Sequence, residues 1–190
     1  MRKVTYGGAI SLDGFLAGPD DALDWLRWSD EAAELSAESF RGVDAMLMGR
    51  KTFEAGQKLG GGPKVKGVTT YVFSRSWDEE ELRSRLLPGQ DMPVLVSEDA
   101  PEFVRRLKAE PAPSTKPGAS GNILVMGGGE IGTALLEAGL VDEIGFSVHP
   151  VLLGGGSPAF GPMHGRVELS LMETRALEGD CLMMRYLVLN

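Results

Sequence analysis

Along this chain, short apolar segments of strand-forming residues alternate with helical patterns, and turns of glycine or small polar residues mark the joins. This alternation constrains the fold more than any other feature. Successive strands joined through helices must run parallel, and such a sheet needs helices on both faces to bury it. Residues 3–10 read as a strand running into Gly7-Gly8, and 11–20 as a turn-rich loop. Helical patterns follow at 21–27 and 30–41, the second with Ser29 as N-cap and Asp30 and Glu31 in an acidic first turn. Asp44–Met48 is a short strand ended by Gly49, with a helix starting at Arg50 or Lys51. The glycine- and lysine-rich stretch 58–67 reads as a mobile loop, and 69–74 as a strand. Ser76-Trp-Asp-Glu79 matches a capping box opening a helix to about residue 86. Residues 93–97 form a strand, Asp99 caps a helix to 109, and the proline-rich stretch 110–121 is a surface connection.

Asn122–Met126 is a buried strand, followed by a glycine run and a helix whose apolar Ile131, Ala134, Leu135 and Ala138 fall at helical spacing. Gly139 ends that helix, and 142–149 is a strand stopped by Pro150. After a loop at 150–165, strands at 167–177 and 181–189 flank Glu178-Gly-Asp180 as a hairpin. The expected fold is α/β, a three-layer α/β/α sandwich around a mixed, mainly parallel sheet of about eight strands with a C-terminal antiparallel hairpin. A length of 190 residues suits one domain over 1–190.

Net charge is −8, from 19 basic and 27 acidic side chains, which disfavours nucleic acid and anionic membranes as partners and makes any local cation cluster stand out. One cysteine, Cys181, cannot form an internal disulfide or a cysteine zinc cage, and no metal site is expected. With no signal peptide and no apolar run of membrane-spanning length, the expected location is the cytoplasm.

Three strand-to-helix turns carry chemistry suited to phosphate. Gly127-Gly-Gly-Glu-Ile-Gly132 matches G-x-G-x-x-G, whose free N–H groups at a helix start attract anions. Too little chain follows for a doubly wound dinucleotide domain, and the next strand ends in His149-Pro150 without a ribose-binding acid. Glycines that allow close strand–helix packing are the alternative. Gly49-Arg-Lys-Thr52 resembles the end of a P-loop, but Asp44 stands where that motif needs its first glycine. Its cations oppose the helix dipole, which favours an anion nearby. Ser74-Arg-Ser76 offers a guanidinium and two hydroxyls to a phosphate monoester. Such turns gather at the carboxyl ends of the strands, where one ligand with several phosphates can touch all of them.

Ala9-Ile-Ser-Leu-Asp-Gly-Phe-Leu-Ala-Gly-Pro19, Leu47-Met-Gly-Arg-Lys-Thr-Phe-Glu54, Val72-Phe-Ser-Arg-Ser76, Val125-Met-Gly-Gly-Gly-Glu-Ile131 and Leu152-Leu-Gly-Gly-Gly-Ser-Pro158 together resemble the dihydrofolate reductase-like superfamily. The nearest group is that of the reductase domain of the bifunctional riboflavin-biosynthesis deaminase–reductase. The resemblance implies NADPH as cofactor. Gly49, Arg50, Lys51 and Thr52 would hold the pyrophosphate and adenosine side, and Ser74, Arg75 and Ser76 the adenine ribose and its 2′-phosphate. Gly127, Gly128, Gly129, Glu130, Ile131 and Thr133 would wrap the pyrophosphate and nicotinamide ribose, with Ala9 and Ile10 beside the nicotinamide. The activity implied is NADPH-dependent reduction of a small heterocyclic (pterin- or pyrimidine-like) or carbonyl substrate. An inert nucleotide-binding protein and dihydrofolate reductase proper are the alternatives.

Two departures bear on the substrate. The position of the pterin-binding acid of dihydrofolate reductases falls at Ala33, between Glu31 and Glu34, and Met126 precedes the glycine run where riboflavin-pathway reductases commonly carry a glutamate. Glu34 is the candidate substrate acid. Trp25 and Trp28, on successive turns of a helix, either belong to the core or wall a flat ring. Asp13 is the catalytic candidate, orienting substrate or water for protonation; its alternative is an Asx turn with Gly14. His149 and His164 read as structural, and Cys181 as a small buried residue. The apolar C-terminal hairpin predicts a homodimer built on those strands, with Met183 facing outward.

Overall fold

The parallel strands and crossover helices expected from the alternation are present in the computed structural model, which describes residues 2–61, 65–111 and 121–189. In chain order the elements are β1 (Val4–Ser11), β2 (Phe15–Ala17), α1 (Asp30–Ser39), β3 (Val43–Gly49), α2 (Arg50–Lys58), β4 (Thr69–Phe73), α3 (Glu79–Ser84) and β5 (Val94–Val96). Then come α4 (Ala100–Ala109), β6 (Asn122–Met126), α5 (Gly129–Glu137), β7 (Glu143–His149), β8 (Ser157–Pro158), β9 (Glu168–Leu177) and β10 (Cys181–Leu189). The main sheet has eight strands in the order β5-β4-β3-β6-β1-β7-β10-β9. Its neighbours are parallel except at β10, which runs antiparallel to both β7 and β9.

Alternation along the strands sends side chains to two cores. Val4, Tyr6, Leu47, Val125, Ile144 and Phe146 pack with Phe103, Val104 and Leu107 of α4 and Leu135 and Leu136 of α5. On the opposite face Met46, Met48, Val72 and Leu124 pack with Phe53, Trp77 and Leu82. Sheet and helices thus form the three layers. Among the described residues no helix is long and apolar enough to cross a membrane.

The helix starts at Ser29 and Asp99 are as read: each side chain accepts the N–H three residues on, of Ala32 and Glu102. At α3 the cap is Asp78, which accepts from Glu81 N–H, and not Ser76. Ser74 Oγ takes the N–H groups of Ser76 and Trp77 instead, so the chain turns once more before the helix begins. The helix expected at 21–27 is absent. One 3₁₀ turn at Pro19–Asp21 holds Asp20 at φ 56, and the chain then reaches Ser29 without a helix, through a turn at Asp24 and Trp25 in which Leu26 N–H donates to Leu23 C=O. Backbone groups that a helix would use internally serve other partners here: Ala22 C=O accepts from Gly18 N–H and Trp25 Nε1–H, and Arg27 N–H donates to His149. The loop expected at 11–20 contains β2, which pairs with β8 in a small separate sheet. The stretch 58–67 falls partly, and the connection 110–121 mostly, outside the described residues.

The hairpin also differs from expectation. β10 is interior and only β9 is an edge. Met183 is 3% exposed, packed with Leu177, Cys181 and Leu35 of α1. A register shift at Arg185/Tyr186 sets Met172 as an extra residue on β9. Leu169, Leu171 and Met172 of β9 and Leu182, Leu187 and Leu189 of β10 are exposed apolar residues there.

Candidate functional site

A cleft of about 1760 Å³ runs along one face of the sheet, from Lys3 and Glu143 at the amino ends of β1 and β7 to the carboxyl ends of the central strands. All three glycine or small-residue turns reach it, as the topology of an open α/β sheet demands. Gly49 is the N-cap of α2 and Gly128 that of α5, and neither helix start receives a side-chain cap. Their first-turn N–H groups are therefore left for another partner. The two starts converge: a Cβ built on Gly128 would lie 3.5 Å from Gly49 N and 3.6 Å from Ile131 Cδ1. Gly127 and Gly128 hold φ of 59° and 67°, a left-handed backbone that glycine takes without strain.

The other glycines of this run serve packing. A Cβ on Gly129 would stand 2.1 Å from Pro158 O, and one on Gly132 would stand 2.3 Å from the Tyr6 ring. The two readings of the motif thus divide by residue, Gly128 toward the cleft and Gly129 and Gly132 toward close contacts. Thr52 packs under Gly127, whose Cβ would meet it at 2.8 Å. Glu130 and Ile131 also line the cleft. Thr133 does not: it is buried, and its hydroxyl accepts Gly161 N–H at 2.8 Å. Ala9 faces the cleft, whereas Ile10, one residue on and so on the other face of β1, packs into the core.

Positive charge gathers at one end. Arg50 and Arg75 are exposed on the cleft wall, and the Arg50 guanidinium lies 6.0 Å over the Trp77 ring. Lys51 stands 3.5 Å from Asp21. Ser76 lies beside Arg75, while Ser74 is buried and shapes the turn.

The acid candidates are displaced from the cleft. Asp13 accepts hydrogen bonds from Ser11 Oγ at 2.6 Å, Leu153 N–H at 3.0 Å and Gly154 N–H at 2.8 Å. Ser11 first, then Gly154 and Leu153, hold its carboxyl below the usual range, so it remains ionised and ties two loops together. Glu34 sits on the exposed side of α1, while Ala32, Leu35, Ser36 and Ser39 line the cleft. Trp28 is on the rim, 69% exposed, and Trp25 packs edge-on to His149 behind the cleft wall. Neither stands on a helix, so their spacing along the chain no longer aligns them.

Two features escaped the sequence reading. A row of charges crosses the floor: Lys3–Glu143 at 2.8 Å, Glu143–Arg185 at 3.0 Å, Arg185–Glu173 at 3.4 Å, Glu173–Arg175 at 3.2 Å and Arg175–Glu38 at 3.5 Å. Its members are scattered along the chain, and only strand order aligns them. The second is His149, at the carboxyl end of β7 and lining the cleft. Its place at a strand end was the available signal. Burial, then the charge of Arg27, keeps the imidazole below its usual range and hence neutral.

A family model described as the RibD C-terminal domain matches residues 2–183. The uncharacterized protein YyaP of Bacillus subtilis (strain 168) is 27% identical, with 98% of this chain and 95% of that protein covered. A pyrimidine reductase-like protein from Corynebacterium diphtheriae superposes at TM-score 0.66 with 18% identity, over 100% of this chain and 92% of that one. Dihydrofolate reductase from Enterococcus faecalis, solved with NADP(H), superposes at TM-score 0.63 with 14% identity, over 99% and 97%. These likenesses show a dihydrofolate reductase-like fold.

Proposed function

The chain belongs to the RibD C-terminal domain family, and on that footing we propose that it is a cytoplasmic, NADPH-dependent reductase of a small heterocyclic (pterin- or pyrimidine-like) or carbonyl compound. Family and fold support a reductase-like function; the cofactor and substrate class are inferred from the cleft. The observation that carries the reading is the meeting of two uncapped helix starts, at Gly49 and Gly128, in one cleft. A pyrophosphate fits there, because both N-termini offer backbone N–H groups and the first turn of α2 contains no acid. Arg50, Arg75 and Ser76 suit a ribose 2′-phosphate, which supports NADPH over NADH in a chain of net charge −8.

NADPH held by residues 49–52, Arg75 and Gly128 would supply hydride from its C4 to the electrophilic carbon of a C=N, C=C or C=O bond and would leave as NADP⁺, with the second hydrogen arriving as a proton from water. The protein's share is alignment and exclusion of water. Ala9 and Gly8 leave room for a flat ring against the end of β1. Asp13, ionised and held by loop N–H groups, keeps the 11–17 loop beside 153–154 and so shapes the wall of the site.

A second reading, a nucleotide-binding protein without turnover, draws on the absence of Asp13 and Glu34 from the cleft wall. Calorimetry with NADPH and NADH tests the cofactor, and NADPH oxidation against pterins, pyrimidines and small carbonyls separates the two readings. Tight NADPH binding without oxidation of any compound favours the second, and no NADPH binding defeats both. The exposed Leu169, Leu171, Met172 and Leu182 on the edge hairpin support a homodimer with a second copy of the chain seated there.

A further inference from the structure

His149 ends β7 beside Ser11, and its strand neighbours Gly145 and Ser147 also line the cleft. Ser147 is the register partner of Ala9, so His149 stands two residues further on, about 6–7 Å along the strand. The Nδ1 atom accepts Arg27 N–H at 3.2 Å and lies 3.5 Å from Cys181 Sγ. A ring nitrogen that accepts a backbone N–H carries no proton, so the neutral imidazole bears its proton on Nε2. The Trp25 ring, edge-on at 5.2 Å, fixes the orientation. Around the ring the charged and titratable groups are Arg27, which pairs with Asp180 at 3.7 Å, and the Cys181 thiol, which burial pushes up.

Among the described residues no group accepts from Nε2. The buried side-chain polar atoms that lack a partner there are Asp44 Oδ2 and Gln57 Oε1. His149 itself is 4% exposed and lines the cleft. A rigid, nearly buried donor with no acceptor among the described residues is matched to an acceptor that arrives with a ligand.

We infer that His149 Nε2–H is a substrate-recognition donor, selecting a planar heterocycle with a carbonyl oxygen or unprotonated ring nitrogen near its reducible bond. The donor geometry stands by itself; the reducible bond rests on the reductase reading above. The group donates a hydrogen bond and gives up no proton, since a neutral imidazole is a poor acid. By drawing charge toward the acceptor atom it makes the neighbouring carbon more receptive to hydride.

The test uses the full chain with ¹⁵N-labelled histidine, with and without NADP⁺, titrated with pterin and with 5-aminouracil. The expected spectrum has the His149 proton on Nε2, and that signal moves when either compound is added. Binding of these compounds should weaken about tenfold or more in His149→Phe and in His149→Asn, which restores only the acceptor for Arg27 N–H. His149→Gln, whose amide reaches the Nε2 position, should stay close to wild type. NADPH affinity, read from cofactor fluorescence, should be unchanged in all three. A proton on Nδ1, an Nε2 signal that neither compound moves, or Asn serving as well as Gln overturns the inference. The wild-type titration decides if a variant does not fold. Loss of NADPH binding in the wild type counts against the cofactor reading alone, because the titration without NADP⁺ still reports on the donor.

Discussion

Replacing Gly128 with alanine separates the anion site from the backbone conformation that builds it. Gly128 holds φ 67° at the start of α5, and Gly139 holds φ 64° beyond its end. Alanine in this left-handed region costs roughly 1–2 kcal/mol at either position. In a domain of this size that lowers Tm by roughly 2–8 °C. The surroundings differ. A Cβ at Gly139 meets nothing within 4 Å, whereas one at Gly128 lies 3.5 Å from Gly49 N and fills the mouth between the two helix starts. Pushing a phosphate oxygen off one backbone N–H forfeits a charge-assisted hydrogen bond of about 1.5–3 kcal/mol. NADPH affinity should therefore fall about ten- to a hundredfold in Gly128→Ala and stay at the wild-type level in Gly139→Ala. Thermal melts and NADPH calorimetry on both variants measure the two effects. Wild-type affinity in Gly128→Ala, or an equal loss in Gly139→Ala, would refute the obstruction argument and leave Gly128 a purely conformational requirement.

Arg75→Ala should cost about ten- to a hundredfold in NADPH affinity with little change for NADH; equal losses for both would remove the 2′-phosphate from its role. Leu171, 57% exposed on the edge strand, replaces Met183 as the interface probe. Light scattering should give twice the chain mass of 20.3 kDa for the wild type and the single mass for Leu171→Asp; a monomeric wild type refutes the dimer, and an intact variant dimer moves the interface. The Asp13 carboxyl is held below its ordinary 3.8, by Ser11 first and then by loop N–H groups. A carboxyl depressed by folding stabilises above its unfolded pKa and loses that contribution as pH falls through the folded value. The Tm gap between wild type and Asp13→Asn should thus be widest at neutral pH and close in acid below about pH 3.8; a gap independent of pH would mean that the charge of Asp13 does not hold the loops.

Local signals carried the elements far. The strand Asn122–Met126, the caps at Ser29 and Asp99, and Gly139 beyond α5 were all legible, because each depends on neighbours within a few residues. The phosphate-suited turns were legible too, since the β-to-α alternation by itself sends them to one end of a parallel sheet. What lay beyond a local reading depends on which segments meet. Trp25 and Trp28 have helical spacing, but the chain there spends its hydrogen bonds on one turn, on Gly18 and on His149, and forms no helix. Asp13 reads locally as a catalytic carboxylate or an Asx turn with Gly14, while the donors that hold it come from Leu153 and Gly154, far along the chain. Met183 turned inward because α1 brings Leu35 to that face of β10. His149 looked like an ordinary core histidine. Only the packing of the Arg27 backbone against Nδ1 decides which nitrogen keeps the proton, and only folding sets His149 on the cleft. Sequence specifies which groups can donate or accept; partners far apart in the chain, brought together by folding, decide which of them remain unspent.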